Sequence, residues 1–377
     1  MKRRTFIKGI GTLGLGFATL SYFNVACNWL HVENKTWKKW IWLIPEKGLP
    51  IDAWKKRFNE LKQIGIDAIL VQVYNSHKAW YKTPHLPLEE DLLEKLIKIG
   101  KSIGLEVHAW IWTMPNNNPY YVENHADFFA VNGLNQPSNS YPAYVGYYKF
   151  MCPNNLAVRE FIKNNISFLA TMDGLDGIHL DYIRFPDVII AENLQTVYGV
   201  NQDREYPQFD YCYCKVCRNK FKSETGIDPL KDLADPSAND SWRQFRYDSI
   251  TSLVNNELVS VANMQGKKIT AAVFPNWENV RQQWFKWNLD GFFPMLYHNF
   301  YNQSIEWIGE NIKMQIAGLE NPKPIYSGLY LPSLKPDELK RAIEISYNAN
   351  ASGVAFFSYA QFTDYLSCKL LKSGISI

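Results

Sequence analysis

The sequence lacks the short motifs that mark several common enzyme chemistries. Beyond its first 36 residues it has no GxGxxG segment, Walker loop, GxSxG elbow or HExxH pair. The usual signatures of nucleotide binding, serine hydrolysis and zinc peptidases are therefore missing. No uninterrupted apolar run of about 18 residues follows residue 27, so no later membrane span is predicted. A short internal repeat is also missing, which argues against a solenoid.

Outside its first 26 residues, the chain has no excess of positive over negative charge. The formal net charge is +3, and the first 26 residues contain no acid but four basic residues, Lys2, Arg3, Arg4 and Lys8. Subtracting those four charges from +3 leaves −1 for the remaining chain. A nucleic-acid partner needs a basic face on the folded domain, so none is predicted.

Residues 1–26 are predicted to be an export signal. The segment RRTFIK has the twin-arginine pattern and precedes an apolar stretch rich in Gly and Leu. NVAC resembles a lipoprotein processing box, in which Cys27 would be lipidated and become the new N-terminus. Residues 27–36 would then form a tether. An uncleaved anchor helix, or cleavage at another position, is the alternative.

The rest of the chain, 37–377, alternates short apolar runs with amphipathic helical stretches. This pattern is typical of a parallel sheet covered by helices. Eight strand–helix units fit an α/β fold of the (β/α)8, or TIM, barrel class better than an open sheet. Long insertions, 113–155 and 185–240, follow strands 3 and 4, on the face where barrel active sites lie. The predicted strands are Trp40–Ile44, Ile66–Tyr74, Leu105–Trp112, Gly177–Ile183, Ile269–Phe274, Gly291–Tyr297, Pro324–Tyr330 and Gly353–Tyr359.

Charged side chains stand at the end of the fourth predicted strand, in the segment LDGIHLDYIRFP (175–186). Residues two apart on a strand share a face, so His179 and Asp181 point the same way. If that face is the inner one, both side chains lie at the mouth of the barrel. On this spacing Asp181 is either a catalytic acid or a structural acid bonded to Arg184.

Aromatic and polar side chains end the other strands. Flat rings stack on sugar faces and polar groups bond to hydroxyls, so this set favours a carbohydrate ligand. With 13 Trp and 22 Tyr in the chain, many of the aromatics must instead pack in the core or loops. The candidates for substrate binding are Gln72, Tyr74, His108, Trp110, Trp112, His179, Arg184, Trp277, Tyr297 and Tyr359.

The segment CYCKVC supplies three cysteines, Cys212, Cys214 and Cys217, to the second insertion. The preferred interpretation is that these cysteines form a disulfide or are free structural thiols. Neither a metal nor another cofactor is predicted. Zinc stays open as the alternative. It would need a fourth ligand from Cys152 or a histidine, and it would brace the loop or, less favoured, take part in catalysis.

The segment DGIHLDYIRFP resembles the strand-4 signature of the family-10-like group of glycosyl-hydrolase-like proteins, barrels related to the α-amylase superfamily. GLEVHAWIW, WFKW before LDGFFPMLY, and GVAFFSY follow in that family's order, and the resemblance spans residues 36–365. Trp112 and Cys152 each replace an Asn that is common in the family. The resemblance therefore implies a carbohydrate-cleaving barrel with a substrate unlike that of typical members.

The resemblance also implies roles for individual residues. GIHLD is similar to the α-amylase pattern GxRxD, in which the Asp is the nucleophile, so Asp181 takes that role and His179 replaces the Arg. The amylase general acid is a Glu after strand 5, for which Glu278 is the preferred candidate. The alternatives for this second carboxyl group are Asp210 and Asp364. The sequence has no carboxylate at the end of strand 7, where amylases have a third.

Together these observations predict an exported, lipid-anchored glycoside hydrolase of the periplasm or cell surface. Asp181 and Glu278 would cleave an oligo- or polysaccharide by carboxylate-based, retaining catalysis. The alternative is a glycan-binding lipoprotein on a barrel that has lost its chemistry. No oligomeric state is predicted.

Overall fold

The computed structural model describes residues 37–366, and side chains as far as residue 362. The predicted signal segment, the tether and the lipidation site at Cys27 lie outside these residues. No helix between residues 37 and 366 combines the length and apolarity needed to cross a bilayer.

The predicted apolar runs form eight parallel strands, which confirms the (β/α)8 barrel class. Hydrogen-bonded neighbours follow the order β6-β5-β4-β3-β2-β1-β8-β7. Isolated bridges, Phe292 with Ile325 and Met295 with Gly328, join β6 to β7 and nearly close the barrel. The strands are β1 Lys38–Leu43, β2 Ala68–Tyr74, β3 Glu106–Trp112, β4 Gly177–Asp181, β5 Lys268–Val273, β6 Gly291–Pro294, β7 Tyr326–Tyr330 and β8 Gly353–Phe357.

The segments that follow the strands form helices, because apolar residues recur in them at helical spacing. In the first helix, Trp54, Phe58 and Leu61 are buried while the charged residues face solvent. In the second, Gly100 lets the helix approach β3 closely, since an added Cβ would lie 2.5 Å from Val107 Cγ2. The helices are α1 Ile51–Gln63, α2 Leu93–Ile103, α3 Pro119–Asn124, α4 Leu156–Ala170, α5 Glu192–Val197, α6 Lys215–Thr225, α7 Asp240–Leu253, α8 Val259–Met264, α9 Glu306–Gly318, α10 Pro336–Asn348 and α11 Tyr359–Leu366.

The interior of the barrel is filled by alternately large and small side chains. Trp40 and Trp42 of β1 share one buried cluster with the small residues Ala272 and Ala355 of other strands, and with Trp110 and Phe293. Such packing makes the interior solid up to the carboxyl ends of the strands. The packed interior therefore leaves a ligand of the barrel to bind at the mouth.

The two insertions lie where the sequence predicted them, after β3 and β4, and both contain short helices. The second is fixed by a buried ion-pair network in which Asp210 contacts the guanidinium groups of Arg246 and Arg281. Burial opposes ionisation of Asp210, but the two neighbouring arginines lower its pKa below the usual value. Both ion pairs give Asp210 a structural role in the insertion, and its alternative role as a catalytic partner stays a prediction.

Candidate active site

A cavity of about 290 Å³ lies at the carboxyl ends of the strands. It is bounded by strand ends and by both insertions, as expected for a barrel of this class. Six of the sequence-predicted site residues line it: Gln72, Trp110, Trp112, Asp181, Arg184 and Tyr297. The parallel strands thus bring these residues together although they are spread over more than 200 positions of the chain.

Asp181 is the last residue of β4 and is only 8% exposed. The indole nitrogen of Trp110 donates a hydrogen bond to its Oδ2 at 2.9 Å, and the backbone N–H of Tyr182 donates to Oδ1 at 2.7 Å. Burial raises the pKa of Asp181 to about 6, although both hydrogen bonds and the charge of Arg184 act in the opposite direction. The group can therefore hold a proton close to neutral pH.

The backbone turns sharply directly after Asp181. Tyr182 adopts a left-handed conformation with φ of 51°, which is strained for a bulky aromatic residue. This turn ends β4 and brings the side chains of Asp181, Tyr182 and Arg184 to the same cavity. Strain of this kind is concentrated at functional sites, where the surrounding structure holds it.

Arg184 is buried among aromatic rings and forms an ion pair with a second carboxylate. Its Nη1 donates to Oδ2 of Asp187 at 3.0 Å, and its guanidinium carbon lies 5.0 Å from the ring centroid of Tyr182 and 4.6 Å from that of Phe274. Asp187 also lines the cavity, and the sequence reasoning missed it. Its position three residues after Arg184, in the continued motif YIRFPD, was the available signal.

His179 and His108 are fully buried below the cavity and do not line it. Trp42 Nε1 donates to His179 Nε2 at 3.3 Å, so the proton of the neutral ring sits on Nδ1, 2.9 Å from Thr270 Oγ1. Burial lowers the pKa of His179 well below its usual value, and it lowers that of His108 as well. The barrel interior encloses both histidines, so in this structure neither side chain reaches the cavity, and their predicted sugar contacts stay predictions.

The structure does not bring Glu278 to Asp181. Glu278 is exposed on the short turn Trp277–Val280 after β5 and is not among the residues that line the cavity. The loop after β5 directs this carboxyl group to solvent, so the predicted pairing of Glu278 with Asp181 stays a prediction that this geometry does not support. The side chain of Asp364, the other alternative, lies outside the described residues.

Three predicted aromatic contacts also lie elsewhere. Tyr74 is buried in the core between the sheet and the helices. Trp277 packs against Tyr247, with ring centroids 5.2 Å apart. Tyr359 starts α11 and lies 5.4 Å below the guanidinium of Arg57. None of the three lines the cavity, so their predicted sugar contacts stay predictions without support from this site.

The insertions supply aromatic walls that the sequence reasoning did not single out. The richness of both insertions in tyrosine, as in YVGYY (144–148), was the only available signal, since loop coordinates do not follow from a periodic pattern. The insertions and the turns after β4 and β6 contribute these aromatic residues to the cavity: Tyr147, Tyr148, Tyr182, Tyr198, Phe300 and Tyr301.

A second cluster of functional groups lies in the insertions. Cys152, Cys212, Cys214 and Cys217 are buried free thiols whose sulfur atoms all lie within 4.8 Å of one another. Of the two preferred interpretations, free thiols and a disulfide, this structure has the free thiols. The cluster also contains the fourth cysteine that a zinc site would need.

Comparison with known proteins gives one partial relative among curated sequences. No family model matches the chain. A segment of 169 residues, 39% of this chain, is 25% identical to glycosyl hydrolase YngK of Bacillus subtilis (strain 168). The match spans 31% of the length of that relative.

Solved structures with a similar fold cover nearly the whole chain. The glycoside hydrolase domain of PgaB (BpsB) from Bordetella bronchiseptica matches with a TM-score of 0.70 at 12% identity, over 89% of this chain and 98% of that domain. The catalytic domain of β-amylase from Paenibacillus polymyxa matches with a TM-score of 0.58 at 10% identity, over 90% and 99%. The described part of the chain thus has the same (β/α)8 barrel fold as these two domains.

Proposed function

We propose that the protein is a glycoside hydrolase in which Asp181 donates the proton to the departing sugar oxygen. The observation that carries this proposal is the carboxyl group with a pKa of about 6 in an aromatic-walled cavity at the mouth of the barrel. A glycosidase acid needs a raised pKa, because it must hold its proton at the working pH. The names of the Bacillus relative and the Bordetella domain support the same reaction class.

This role differs from the nucleophile that the resemblance implied for Asp181. A nucleophilic carboxylate must be ionised, whereas burial favours the protonated form of Asp181. The second carboxyl group of a two-carboxylate mechanism is Asp187, which lines the same cavity and forms an ion pair with Arg184. Asp187 would act as the ionised partner in place of Glu278.

The substrate is proposed to be an oligo- or polysaccharide. Trp112, Tyr147 and Tyr297 present rings to the cavity, and Gln72 and Arg184 add hydrogen-bond donors. Flat rings for sugar faces and a few polar groups for hydroxyls form the combination that carbohydrate sites need.

The test is a screen of the purified chain against a panel of polysaccharides, followed by D181N, D187N and E278Q on the substrate that is cleaved. We expect D181N to lower kcat about 10²–10⁴-fold on natural glycans, the range for loss of a general acid. The loss should be much smaller on aryl glycosides with good leaving groups, since these need no proton. E278Q is the matched control and should retain activity. A wild-type rate in D181N, or a loss confined to E278Q, would contradict the assignment.

A glycan-binding protein without catalysis is the second candidate. The observation that favours it is the ion pair with Arg184, which already engages Asp187, the second carboxyl group of the cavity. Calorimetry with the same glycans would then give binding without any product, and D181N would leave the affinity nearly unchanged. Product formation by the wild-type chain excludes this candidate.

We also propose that the protein is exported and held at a membrane surface through a lipid on Cys27. The support is the twin-arginine pattern and the NVAC box of the first 27 residues. Incorporation of a labelled fatty acid into the wild-type chain, but not into C27A, would support the anchor. Recovery of the wild-type chain in the soluble cytoplasmic fraction without label would refute it.

A further inference from the structure

The cysteine cluster has the geometry of a metal site. Sγ of Cys152 lies 3.4 Å from Sγ of both Cys214 and Cys217, and all four sulfur atoms lie within 4.8 Å of one another. A tetrahedral zinc ion with Zn–S bonds of about 2.3 Å requires sulfur atoms about 3.8 Å apart. The cluster is already close to that spacing.

Hydrogen-bond donors point at the sulfur atoms of the cluster. Asn154 Nδ2 donates to Sγ of Cys217 at 3.3 Å, and the backbone N–H of Val131 donates to Sγ of Cys212 at 3.4 Å. Lys220 donates to Asn154 Oδ1 and so fixes the direction of that amide. Hydrogen bonds from such second neighbours orient metal ligands and stabilise their negative charge.

The start of α6 also lies at the cluster. Cys214 is the residue before the first turn of α6, and Cys217 lies in that turn. The positive end of the helix dipole lowers the cost of negative charge at both sulfur atoms. If the four sulfur atoms were neutral thiols, the N–H groups of Asn154 and Val131 would point at weak hydrogen-bond acceptors.

We propose that Cys152, Cys212, Cys214 and Cys217 bind one structural Zn²⁺ ion. Four buried thiolates without an open position are the ligand set of structural zinc, and soft sulfur ligands exclude magnesium and calcium. Four Zn–S bonds form and the thiol protons are released to solvent, so no oxidant or reductant is needed.

The site joins the two insertions that build the cavity. Cys152 comes from the first insertion, which supplies Tyr147 to the wall, and the other three cysteines come from the second, which supplies Asp187. The zinc ion therefore acts as a cross-link between the loops and holds the cavity in shape without touching the substrate.

The test is metal analysis of the purified chain in a background in which Cys27 and Cys368 are replaced by Ser, so that every remaining thiol belongs to the cluster. We expect about one zinc per chain, and four thiols that react with a thiol reagent only after a chelator has removed the metal. Replacement by Co²⁺ should give the absorption of a tetrahedral thiolate complex.

Variants separate the site from non-specific binding. Added to this background, C152S and C214S should each lower the zinc content from about one to below about 0.1 per chain. The background itself, with its two cysteine-to-serine changes at positions 27 and 368, is the control and should retain the zinc. The wild-type measurements do not depend on whether the variants fold. A metal-free chain with four reactive thiols, two disulfides in the non-reduced mass spectrum, or stoichiometric iron instead of zinc would each overturn the proposal.

Discussion

The buried carboxyl group of Asp181 makes the stability of the barrel depend on pH in an unusual direction. Its pKa is 3.8 in an ordinary environment and about 6 in the folded chain. Below pH 3.8 both states are protonated, and well above pH 6 both are ionised. Between these values the folded state holds the proton more tightly, so stability is lost as pH rises.

The size of this effect follows from the two pKa values. Each pH unit between them corresponds to about 1.4 kcal/mol, so ionised Asp181 destabilises the folded chain by about 3 kcal/mol at pH 7. In D181N the amide does not ionise. Its single oxygen can accept from Trp110 or from the backbone of Tyr182, but not from both, which costs about 1–3 kcal/mol at every pH.

Urea unfolding followed by tryptophan fluorescence at pH 4 and pH 8 measures the difference between D181N and the wild type. We expect D181N to be the less stable protein at pH 4 and to gain about 3 kcal/mol relative to wild type by pH 8. E278Q, which changes an exposed carboxyl group, is the control and should show a flat difference. A flat difference for D181N as well would refute the reasoning.

Further variants test neighbouring interactions. W110F removes the indole donor, so the pKa of Asp181 should rise and the alkaline limb of the kcat–pH profile should move upward; an unshifted limb contradicts this. R184M leaves its partner carboxylate buried without a cation and should cost about 3–5 kcal/mol of unfolding free energy, measured by urea titration. G328A places a Cβ 2.7 Å from a carbonyl oxygen of β6 and should cost about 3 kcal/mol or more in the same assay. G318A, in open space at the end of α9, is its control and should change stability by less than about 1 kcal/mol.

The fold could be predicted because its signals are local and periodic. Apolar runs and amphipathic helices alternate eight times, and the strands form in those runs. The boundaries differ where local chemistry ends a strand early. β4 was predicted to reach Ile183 but ends at Asp181, because Tyr182 turns into the left-handed region. β6 was predicted to reach Tyr297 but ends at Pro294, which cannot donate a backbone hydrogen bond.

The site could be predicted only where a strand carries it. His179 and Asp181 do share the inner face of β4, but two residues of strand correspond to about 6.6 Å of depth. Because of this distance, His179 is enclosed in the barrel whereas Asp181 lies at its mouth. Glu278 and Asp187 lie on loops, whose paths depend on long-range packing, so spacing along the chain could not show which of the two carboxyl groups lines the cavity.

The barrel can open transiently at the joint between β6 and β7. Its isolated bridges are held by the backbone hydrogen bonds from Phe292 N–H to Pro324 O and from Leu296 N–H to Gly328 O, whereas the flanking pairs β5–β6 and β7–β8 form continuous ladders. Amide hydrogens there should exchange with solvent before those of β2 and β3. Met295 and Tyr297 follow β6 directly and line the cavity, so an opening of this joint would move part of the cavity wall. In the proposed hydrolase, substrate entry and product release would then be coupled to a fluctuation of the sheet.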